Sequence, residues 1–514
     1  MPNPIKRIGV VGAGTMGSGI ALSALYAGYK VVLQDAFPAS LEKGGAYIEK
    51  FLAKKEKSVL SESLQLTEEI GDLADCDLVI EAALEDLDLK RQIFADLEKH
   101  CAAEAILATN TSTLSVTAIA AACAHPGRIG GLHFFNPAPV LPLVEVIRAA
   151  QTSASTIEAL LAFAESLGKT PVVVTDTPGF IVNRVARPFY GEALRILGEG
   201  AATHAQIDRI VEQAGDFRMG PFRLMDLIGI DINAGAMRSM YEQTHGEPRY
   251  RPHPIQMAKL ASGDLGRKTG RGFYDYETKT PSSDKDKESG NEAEASGTLW
   301  LSDGSWAPDL AQELSEAGYA LDHSPSHTSP KAAFIVAGRY ENARELIDEW
   351  LPQLPQKAPI FAQTADVALS EYLAQALDPR IIGFDGLFAA SKFLTLQRHQ
   401  WLSREVQAQA EDLLTAAGFR WEWMDESPAL VLPRILAQLV NEAAFALQDG
   451  VAAATTIDTA MKLGVNYPQG PLEWGAQIGY QKVLAVLDHL HAEFREDRYR
   501  ACGLLRRWVR TGTA

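Results

Sequence analysis

Cysteine is scarce in this sequence. Its four cysteines, Cys76, Cys101, Cys123 and Cys502, are scattered over 514 residues and form no C-x-x-C pair. Such spacing argues against a disulfide framework and against a structural zinc site, and it is typical of a reducing compartment. An apolar strand pattern already begins at Ile8, which leaves no room for a signal peptide. We therefore expect a cytoplasmic protein without a bound metal.

Long apolar runs and positive charge are also in short supply. No apolar run approaches the ~18 residues that a membrane-spanning helix needs. The 48 Lys and Arg residues are outnumbered by 65 Asp and Glu residues, so the formal net charge is −17. These features argue against a membrane partner and against nonspecific nucleic-acid binding, and an anionic ligand would need a local basic patch. The length is enough for about three or four domains.

One segment lacks the residues that build a hydrophobic core. Residues 277–297 contain no Leu, Ile, Val or aromatic residue. Such a segment cannot bury enough apolar surface to offset the entropy cost of ordering. We interpret 277–297 as a linker between two halves of the chain.

Before the linker, the hydrophobic pattern changes character once. Short apolar runs separated by helical patterns predict an α/β domain over residues 1–177, with a Rossmann-like, mostly parallel, doubly wound sheet. Long helical patterns with Gly and Pro at the breaks follow, and they predict an all-helical domain over residues 178–276. The predicted strands are 8–11, 29–34, 78–83, 105–109, 130–134 and 143–147.

The helical pattern occurs twice. Twelve residues of the first copy recur without a gap 250 positions later. An ungapped match of this length predicts a duplicated helical domain, which we place at 403–514. A weaker echo of the N-terminal domain predicts a degenerate α/β segment at 298–402. The twelve are Pro178, Arg184, Glu192, Ala193, Leu197, Gly200, Ile207, Asp208, Gly220, Pro221, Ile228 and Gly229.

A glycine-rich turn follows the first predicted strand. The pattern is strand, G-x-G-x-x-G, helix, strand and acid, which is the order of a dinucleotide-binding fingerprint. The acid, Asp35, can accept hydrogen bonds from the ribose hydroxyls of NAD and would repel the 2′-phosphate of NADP, although it could also be an ordinary strand-end acid. We favour NAD as the cofactor. The turn consists of Gly12, Ala13, Gly14, Thr15, Met16 and Gly17.

A histidine and a glutamate lie at neighbouring predicted strands. His133 ends one strand, and Glu145 lies twelve residues on among apolar neighbours. A carboxylate in such a strand is costly unless it is paired, and it could fix the tautomer of the imidazole and raise its basicity. The imidazole could then take the hydroxyl proton of a secondary alcohol whose hydride goes to NAD. The alternative is a core histidine beside an outward-facing glutamate.

Two further polar residues could contact a substrate. Ser112 follows another predicted strand end, and Asn183 opens the helical domain. Both could donate hydrogen bonds to a substrate carbonyl in a cleft between the domains. Helix capping is the alternative for each.

The first 276 residues resemble a 3-hydroxyacyl-CoA dehydrogenase. The runs GAGTMG, NTS, GLHFFNP, PGFIVNR and GRKTGRGFY occur in the family's order and spacing. The resemblance implies oxidation of an L-3-hydroxyacyl thioester, with His133 as the catalytic base and Glu145 as its orienting partner. It implies that Ser112 and Asn183 contact the substrate. The implied cofactor contacts are Glu85, Lys90, Asn136 and Lys268, with Ser112 near the nicotinamide.

The family's CoA contacts do not carry over. Phe51 and Ser58 stand where the family has a serine and a lysine. The nearby Lys54, Lys55 and Lys57 could instead supply charge for the CoA phosphates, or they could be a solvated helix face.

The second half resembles the long bacterial members of the family, which include those linked to phenylacetate breakdown through 3-hydroxyadipyl-CoA. Its candidate site residues differ from those of the first half: Pro433 replaces Asn183, Asp385 replaces His133, and Ser302 and Ala307 replace the first and last glycines of the turn. We therefore predict one active site per chain.

The two helical copies could pair within the chain, as two-domain members of the family pair through their helical domains. The alternative is that the copies pack separately and the chain self-associates as a homodimer.

Two other functions remain open at the level of sequence. One is an NAD-dependent dehydrogenase of a small hydroxy acid, but such enzymes generally use a lysine base. The other is a non-enzymatic NAD-binding protein, against which the complete set of candidate catalytic residues argues.

Overall fold

The computed structural model describes residues 5–277, 295–303, 307–324, 329–336, 340–373, 377–386 and 391–512. Most of the predicted linker, residues 278–294, lies outside these ranges. The chain divides into two compact units. The first unit comprises Met1–Ala186 and Ala446–Gly470, and the second comprises Arg187–Phe445 and Pro471–Ala514.

The first unit contains an eight-stranded sheet. Its order is β3-β2-β1-β4-β5-β6-β7-β8, and every neighbouring pair is parallel except β6 and β7. Several strands are short runs of buried apolar residues because helices cover the sheet. The prediction of a mostly parallel sheet is confirmed. The strands are β1 (Arg7–Val11), β2 (Lys30–Gln34), β3 (Leu64–Thr67), β4 (Leu78–Glu81), β5 (Ile106–Thr109), β6 (Ile129–Phe134), β7 (Leu143–Arg148) and β8 (Thr170–Thr175).

Eleven helices are described before the linker. The first six belong to the first unit, and the other five belong to the second. They are α1 (Thr15–Tyr26), α2 (Pro38–Lys54), α3 (Leu87–His100), α4 (Val116–Ala120), α5 (Ala154–Ser166), α6 (Val182–Val185), α7 (Arg187–Glu199), α8 (His204–Ala214), α9 (Pro221–Ile228), α10 (Ile230–Gln243) and α11 (Pro254–Ser262).

The second unit contains a seven-stranded sheet, which confirms a second α/β segment. Its order is β10-β9-β11-β12-β13-β14-β15, the same as that of the first sheet without a counterpart of β3. Here too one pair, β13 and β14, is antiparallel. The strands are β9 (Thr298–Leu301), β10 (Ala320–Asp322), β11 (Ala332–Ile335), β12 (Ile360–Gln363), β13 (Ile381–Phe384), β14 (Phe393–Arg398) and β15 (Arg420–Asp425).

The expected start of the second helical copy, residue 403, precedes elements of the second sheet. The strand β15 is the last strand of that sheet, and the helix before it, α15, packs on it. The helices of this half are α12 (Pro308–Glu316), α13 (Tyr340–Trp350), α14 (Leu369–Leu373), α15 (Arg404–Ala416), α16 (Leu432–Gln448), α17 (Ala454–Val465), α18 (Pro471–Ile478), α19 (Tyr480–Phe494) and α20 (Gly503–Thr511).

The 250-residue repeat extends further back than the sequence indicated. The bounds of β14, α15 and β15 equal those of β7, α5 and β8 plus 250.

In each unit, a helix from one copy of the helical domain packs on the sheet of the other copy. In the first unit α17 packs on β7 and β8, and in the second unit α8 packs on β14 and β15.

Backbone hydrogen bonds in the two units also repeat with a shift of 250 residues. The Thr175 amide donates to the Val451 carbonyl oxygen at 3.0 Å. The Asp425 amide donates to the Ala201 carbonyl oxygen at 2.8 Å. Residue 425 is the counterpart of 175, and 201 is the counterpart of 451, so the second bond is the first with the copies exchanged.

Candidate active site

The glycine turn lies between β1 and α1 and has the geometry of a phosphate cradle. Gly12 adopts φ +98°, and a Cβ there would come 2.7 Å from the Ala82 carbonyl oxygen. A Cβ at Gly17 would overlap the carbonyl oxygen of Gly12, whereas Gly14 faces open space. No side chain caps the first N–H groups of α1. These groups fit the pyrophosphate of a dinucleotide, which approaches the backbone closely at a helix N-terminus.

Asp35 follows β2 beside this turn. Its Oδ2 accepts a hydrogen bond from the Ala13 amide at 2.7 Å, and its Oδ1 accepts one from the Phe37 amide at 2.9 Å. The carboxylate is therefore fixed next to the glycine turn, where an adenosine ribose would bind. This position suits the ribose hydroxyls of NAD.

His133 and Glu145 face each other across the antiparallel pair β6 and β7. His133 Nδ1 lies 2.8 Å from Glu145 Oε2, and both side chains are buried. The other carboxylate oxygen, Oε1, accepts hydrogen bonds from the Ile181 and Val182 amides, each at 3.0 Å. Three hydrogen bonds thus satisfy the buried carboxylate and fix the imidazole. If Nδ1 donates to the carboxylate, Nε2 carries the lone pair that can accept a proton.

Ser112 and Asn183 are brought together in the first unit. Asn183 Nδ2 donates to the Ser112 carbonyl oxygen at 3.2 Å. Helix capping explains neither residue, because Ser115 is the N-cap of α4 and Asn183 lies inside α6. The contact joins the loop after β5 to the segment that holds Glu145.

Glu85 and Lys90 belong to a network of hydrogen bonds beside the Ser112 loop. Glu85 Oε1 accepts from the Ser112 amide at 2.8 Å and from Thr111 Oγ1 at 2.7 Å. The Lys90 ammonium is buried and lies 2.6 Å from Glu81 Oε1. Sequence reasoning missed Glu81. Its signal was an acid among the apolar residues of a predicted strand, the same signal that identified Glu145.

The remaining predicted contacts of the first unit lie at its surface. Asn136 follows β6 and is exposed. Lys55 and Lys57 lie over the ring of Tyr26, with Nζ 4.6 and 5.4 Å from its centroid, and Lys54 ends α2. Two of the three lysines of the basic cluster therefore lie over an aromatic ring.

Lys268 belongs to the second unit. Its ammonium contacts both carboxylate oxygens of Asp231. The GRKTGRGFY run that carries Lys268 is held by Asp226, whose carboxylate accepts hydrogen bonds from the Phe273 and Tyr274 amides, each at 2.9 Å. The anchoring explains two of the glycines in the run, because the backbone passes close to Asp226 and a Cβ at Gly266 or Gly272 would overlap that residue.

The second sheet carries different residues at the equivalent positions. Gly383 lies opposite Gln397, as Gly131 lies opposite Ile147. Two residues on, the Asp385 amide donates to the Thr395 carbonyl oxygen, so an Asp–Thr pair occupies the place of His133 and Glu145.

The turn after β9 also differs from the glycine turn. Ser302, in the place of Gly12, uses its hydroxyl to bond the Val336 backbone. Ala307, which the sequence comparison aligned with Gly17, is the N-cap of α12, whereas Gly17 lies inside α1.

The described ranges lack both a metal cluster and a membrane-spanning helix. Among these residues, no group of three or more His, Cys, Asp or Glu side chains could hold a metal ion. No helix within the same ranges is long and apolar enough to cross a membrane.

Two family descriptions match the chain. One, "3-hydroxyacyl-CoA dehydrogenase, NAD binding domain", matches residues 7–177. The other, "3-hydroxyacyl-CoA dehydrogenase, C-terminal domain", matches twice, at residues 179–276 and 430–514.

Individual proteins resemble either the whole chain or its first half. The 3-hydroxyadipyl-CoA dehydrogenase of Escherichia coli (strain K12) is 36% identical over 512 residues, which cover 98% of this chain and 97% of that protein. The mitochondrial hydroxyacyl-coenzyme A dehydrogenase of Homo sapiens is 39% identical over 53% of this chain and 91% of its own length. A crystal structure of 3-hydroxybutyryl-CoA dehydrogenase from Escherichia coli K12 matches 99% of this chain with a TM-score of 0.81 and 33% identity.

Proposed function

The chain belongs to the 3-hydroxyacyl-CoA dehydrogenase family, and on that premise we propose that it oxidises an L-3-hydroxyacyl-CoA to the 3-ketoacyl-CoA with NAD. The observation that carries this proposal is the buried contact between His133 Nδ1 and Glu145 Oε2 at 2.8 Å. It provides an oriented imidazole at the carboxyl end of a strand, where ligands bind in this fold. With His133 as the base, the reaction needs no lysine base of the kind that dehydrogenases of small hydroxy acids generally use.

His133 acts as the general base. Its Nε2 takes the proton of the 3-hydroxyl group as the C3–H bond breaks, and the hydroxyl oxygen forms the new carbonyl. The Glu145 carboxylate stabilises the resulting imidazolium through Nδ1. When bound, NAD accepts the hydride. The proton leaves the imidazole for solvent before the next turnover.

Ser112 and Asn183 position the substrate beside His133. The Ser112 hydroxyl and the Asn183 side-chain amide are the donors that we assign to the hydroxyl and thioester oxygens. Their support is the hydrogen bond between Asn183 Nδ2 and the Ser112 carbonyl oxygen. Each therefore restrains the other, which favours a fixed geometry for the reacting groups.

The cofactor contacts that we propose combine the glycine turn with Asp35, Glu85, Lys90, Asn136 and Lys268. The turn and Asp35 bind the pyrophosphate and the adenosine ribose. Glu85 acts near the Ser112 loop, at the nicotinamide end, and the buried Lys90 acts there through its 3.5 Å contact with Glu85. Lys268 is oriented by Asp231.

The acyl group and the CoA phosphates define the substrate. We assign Lys54, Lys55 and Lys57 to the phosphates, since a chain of net charge −17 needs a local basic patch for an anionic ligand. The full-length relative is named for 3-hydroxyadipyl-CoA, so a dicarboxylic acyl group is the first candidate substrate.

Steady-state formation of NADH tests the function and the substrate together. The wild-type protein is assayed on 3-hydroxyadipyl-CoA, 3-hydroxybutyryl-CoA, a long-chain analogue and the matching free hydroxy acids. We expect turnover of CoA thioesters with the highest kcat/KM for 3-hydroxyadipyl-CoA. Turnover of free hydroxy acids alone would overturn the proposal, and highest activity on another thioester would overturn only the choice of acyl group.

The helical copies form an intrachain pseudo-dimer. In the second unit, the guanidinium of Arg434 on α16 is buried and contacts Glu192 and Glu199 of α7 at 2.9 and 2.7 Å. In the first unit, Arg184, the counterpart of Arg434, contacts Asp449, the counterpart of Glu199, at 2.6 Å. A reciprocal pattern of this kind is what a two-fold interface between equal copies produces.

Sedimentation velocity tests the pseudo-dimer. We expect a monomer of the full chain at micromolar concentration, because the pairing surface is satisfied within the chain. A stable homodimer would favour the alternative. We propose the cytoplasm as the compartment, which fits four cysteines that carry no disulfide bond.

A further inference from the structure

Glu81 ends β4 with a fully buried carboxylate that the reaction does not use directly. Its Oε1 accepts hydrogen bonds from Lys90 Nζ at 2.6 Å and from the Ala83 amide at 2.7 Å. Its Oε2 accepts one from Thr109 Oγ1 at 2.7 Å. The carboxylate thus ties together three segments: the turn after β4, helix α3 and the end of β5. The turn after β4 is also the one that Gly12 approaches.

Lys90 is the middle of the network. Only 1% of its side chain is exposed, so its charge is directed at carboxylates of the protein. Besides Glu81, Nζ lies 3.5 Å from Glu85 Oε2. An ammonium this deeply buried is costly without such partners. Glu81 therefore keeps the Lys90 ammonium in place, and Lys90 in turn restrains the position of Glu85.

Glu85 is the far end of the network and holds the loop that carries Ser112. Its Oε1 accepts from the amides of Ser112 and Thr113 at 2.8 and 3.0 Å and from Thr111 Oγ1 at 2.7 Å. Burial opposes ionisation of Glu85, but the Lys90 charge and these hydrogen bonds outweigh it and lower its pKa. An ionised Glu85 can hold several donors of one loop at once.

We propose that Glu81 is a positioning residue: through Lys90 and Glu85 it fixes the Ser112 loop beside the nicotinamide end of the cofactor. The alternative is that Glu81 and Lys90 are an ion pair that serves stability alone. The proposal rests on the function assigned above to Ser112. It gives Lys90 a role that its burial allows.

The test compares Glu81→Gln, Glu85→Gln and the double variant. If Glu81 acts through Glu85, Glu81→Gln alone loses roughly 10-fold in kcat/KM for NAD, as expected for a displaced loop. The double variant then loses no more than Glu85→Gln alone. Independent roles would multiply to roughly 100-fold in the double variant, and that result would overturn the proposal. Wild-type kinetics in Glu81→Gln would overturn it as well, because an ion pair that serves stability alone changes the unfolding midpoint and leaves kcat/KM unchanged.

The chain offers a matched control on the same helix. Glu98 of α3 also holds a loop, by accepting hydrogen bonds from the Ala124 and His125 amides at 2.6 and 2.8 Å. We expect Glu98→Gln to keep kcat/KM within about 2-fold of the wild-type value, since it touches no proposed site residue. An equal loss in Glu98→Gln would show a general effect of loop capping and would overturn the assignment to Glu81.

Two further measurements keep the test decisive. If Glu81→Gln does not fold, Thr109→Val removes one hydrogen bond to Glu81 without changing charge, and we expect a loss of about 3-fold in kcat/KM; unchanged kinetics would contradict the proposal. Fluorescence titration of the same variants with NADH needs no acyl-CoA. If the wild-type enzyme oxidised no 3-hydroxyacyl-CoA, the proposed function would fail, while weaker NADH binding by Glu81→Gln and Glu85→Gln alike would still support the positioning role. Unchanged NADH binding would count against it.

Discussion

Glu145 lies directly opposite His133 in the pairing of β6 and β7, with 2.8 Å between Oε2 and Nδ1. The backbone register brings the two side chains to one face of the sheet, and the amides of Ile181 and Val182 hold the carboxylate from the other side. The imidazole therefore has a fixed orientation before any substrate binds.

Replacement of His133 by glutamine tests the base. We expect His133→Gln to lower kcat by about 10²–10⁴-fold, the usual contribution of a general base. Affinity for NADH should stay close to that of the wild-type enzyme, because the glycine turn and Asp35 are untouched. Stopped-flow or steady-state rates, together with NADH titration, check both parts. A variant that kept full turnover would remove His133 from the mechanism.

Asp385→Asn is the counterpart of that change in the second sheet. Asp385 occupies the place of His133 beside Thr395, which cannot act as the carboxylate of a His–Glu pair. We expect kcat and KM to remain at wild-type values, because the proposed catalytic residues all lie in the first half. A loss of half the activity would instead indicate two working sites per chain.

Asp35 should determine the choice of cofactor. In Asp35→Ser we expect kcat/KM for NAD to fall at least about 10-fold and activity with NADP to rise, because the repulsion of the 2′-phosphate is removed. The matched control is Asp77→Asn. Asp77 also accepts two backbone hydrogen bonds, from the Lys6 and Arg7 amides, but it lies at the amino ends of the strands, away from the glycine turn. The same shift in preference for Asp77→Asn would rule out a specific role of Asp35.

Asp208 predicts a dependence of stability on pH. Burial raises its pKa to about 7, although the Phe222 and Arg223 amides and the Tyr274 hydroxyl donate hydrogen bonds to it. The folded state thus keeps a proton that the unfolded state loses near pH 4. The contribution of Asp208 to stability is complete below that pH and is lost as the pH rises through 7.

The comparison is between the wild-type protein and Asp208→Asn at pH 5 and pH 8. We expect the stability of the wild-type protein relative to the variant to fall by about 2–3 kcal/mol over this range. Denaturant unfolding followed by tryptophan fluorescence measures it. A difference that stayed constant, or that grew with pH, would contradict the protonated form of Asp208.

Arg434 is expected to matter most for the pairing of the helical copies. Arg434→Met leaves Glu192 and Glu199 without their buried partner, which should cost about 3–5 kcal/mol in the free energy of unfolding. Arg506→Met serves as the control, because Arg506 and Asp488 form a pair at the surface. Its removal should cost less than about 1 kcal/mol. Equal costs for the two variants would show that the buried pair of Arg434 contributes no more to the free energy of unfolding than a surface pair does.

The order of elements in the first half could be predicted because local signals agree there. The glycine turn, the apolar runs and the acid at the end of β2 all indicate one dinucleotide-binding arrangement. The repeat was detectable from α6 onward but not from β7, because buried strands keep their apolar character while exchanging individual residues. Val144 and Leu394, for example, are counterparts that share burial and not identity.

Contacts that depend on several segments at once could not be predicted. Glu81 and Lys90 are nine residues apart, but their contact requires α3 to pack against the end of β4 at a particular height. The exchange of α8 and α17 between the copies is similar, since nothing in an amphipathic helix specifies which of two equivalent sheets it covers. Such choices are made by packing of the whole chain.

The paired hydrogen bonds of Thr175 with Val451 and of Asp425 with Ala201 have a consequence for the evolution of the chain. In a homodimer, one gene encodes both partners, so each substitution appears on both sides of the two-fold axis. Fusion of the two copies removes that constraint, because a codon change now alters a single copy. His133 could therefore be retained while its counterpart became Asp385, and the second copy could be selected for its scaffold alone. The two halves are free to accumulate different substitutions at every counterpart position that the interface does not use.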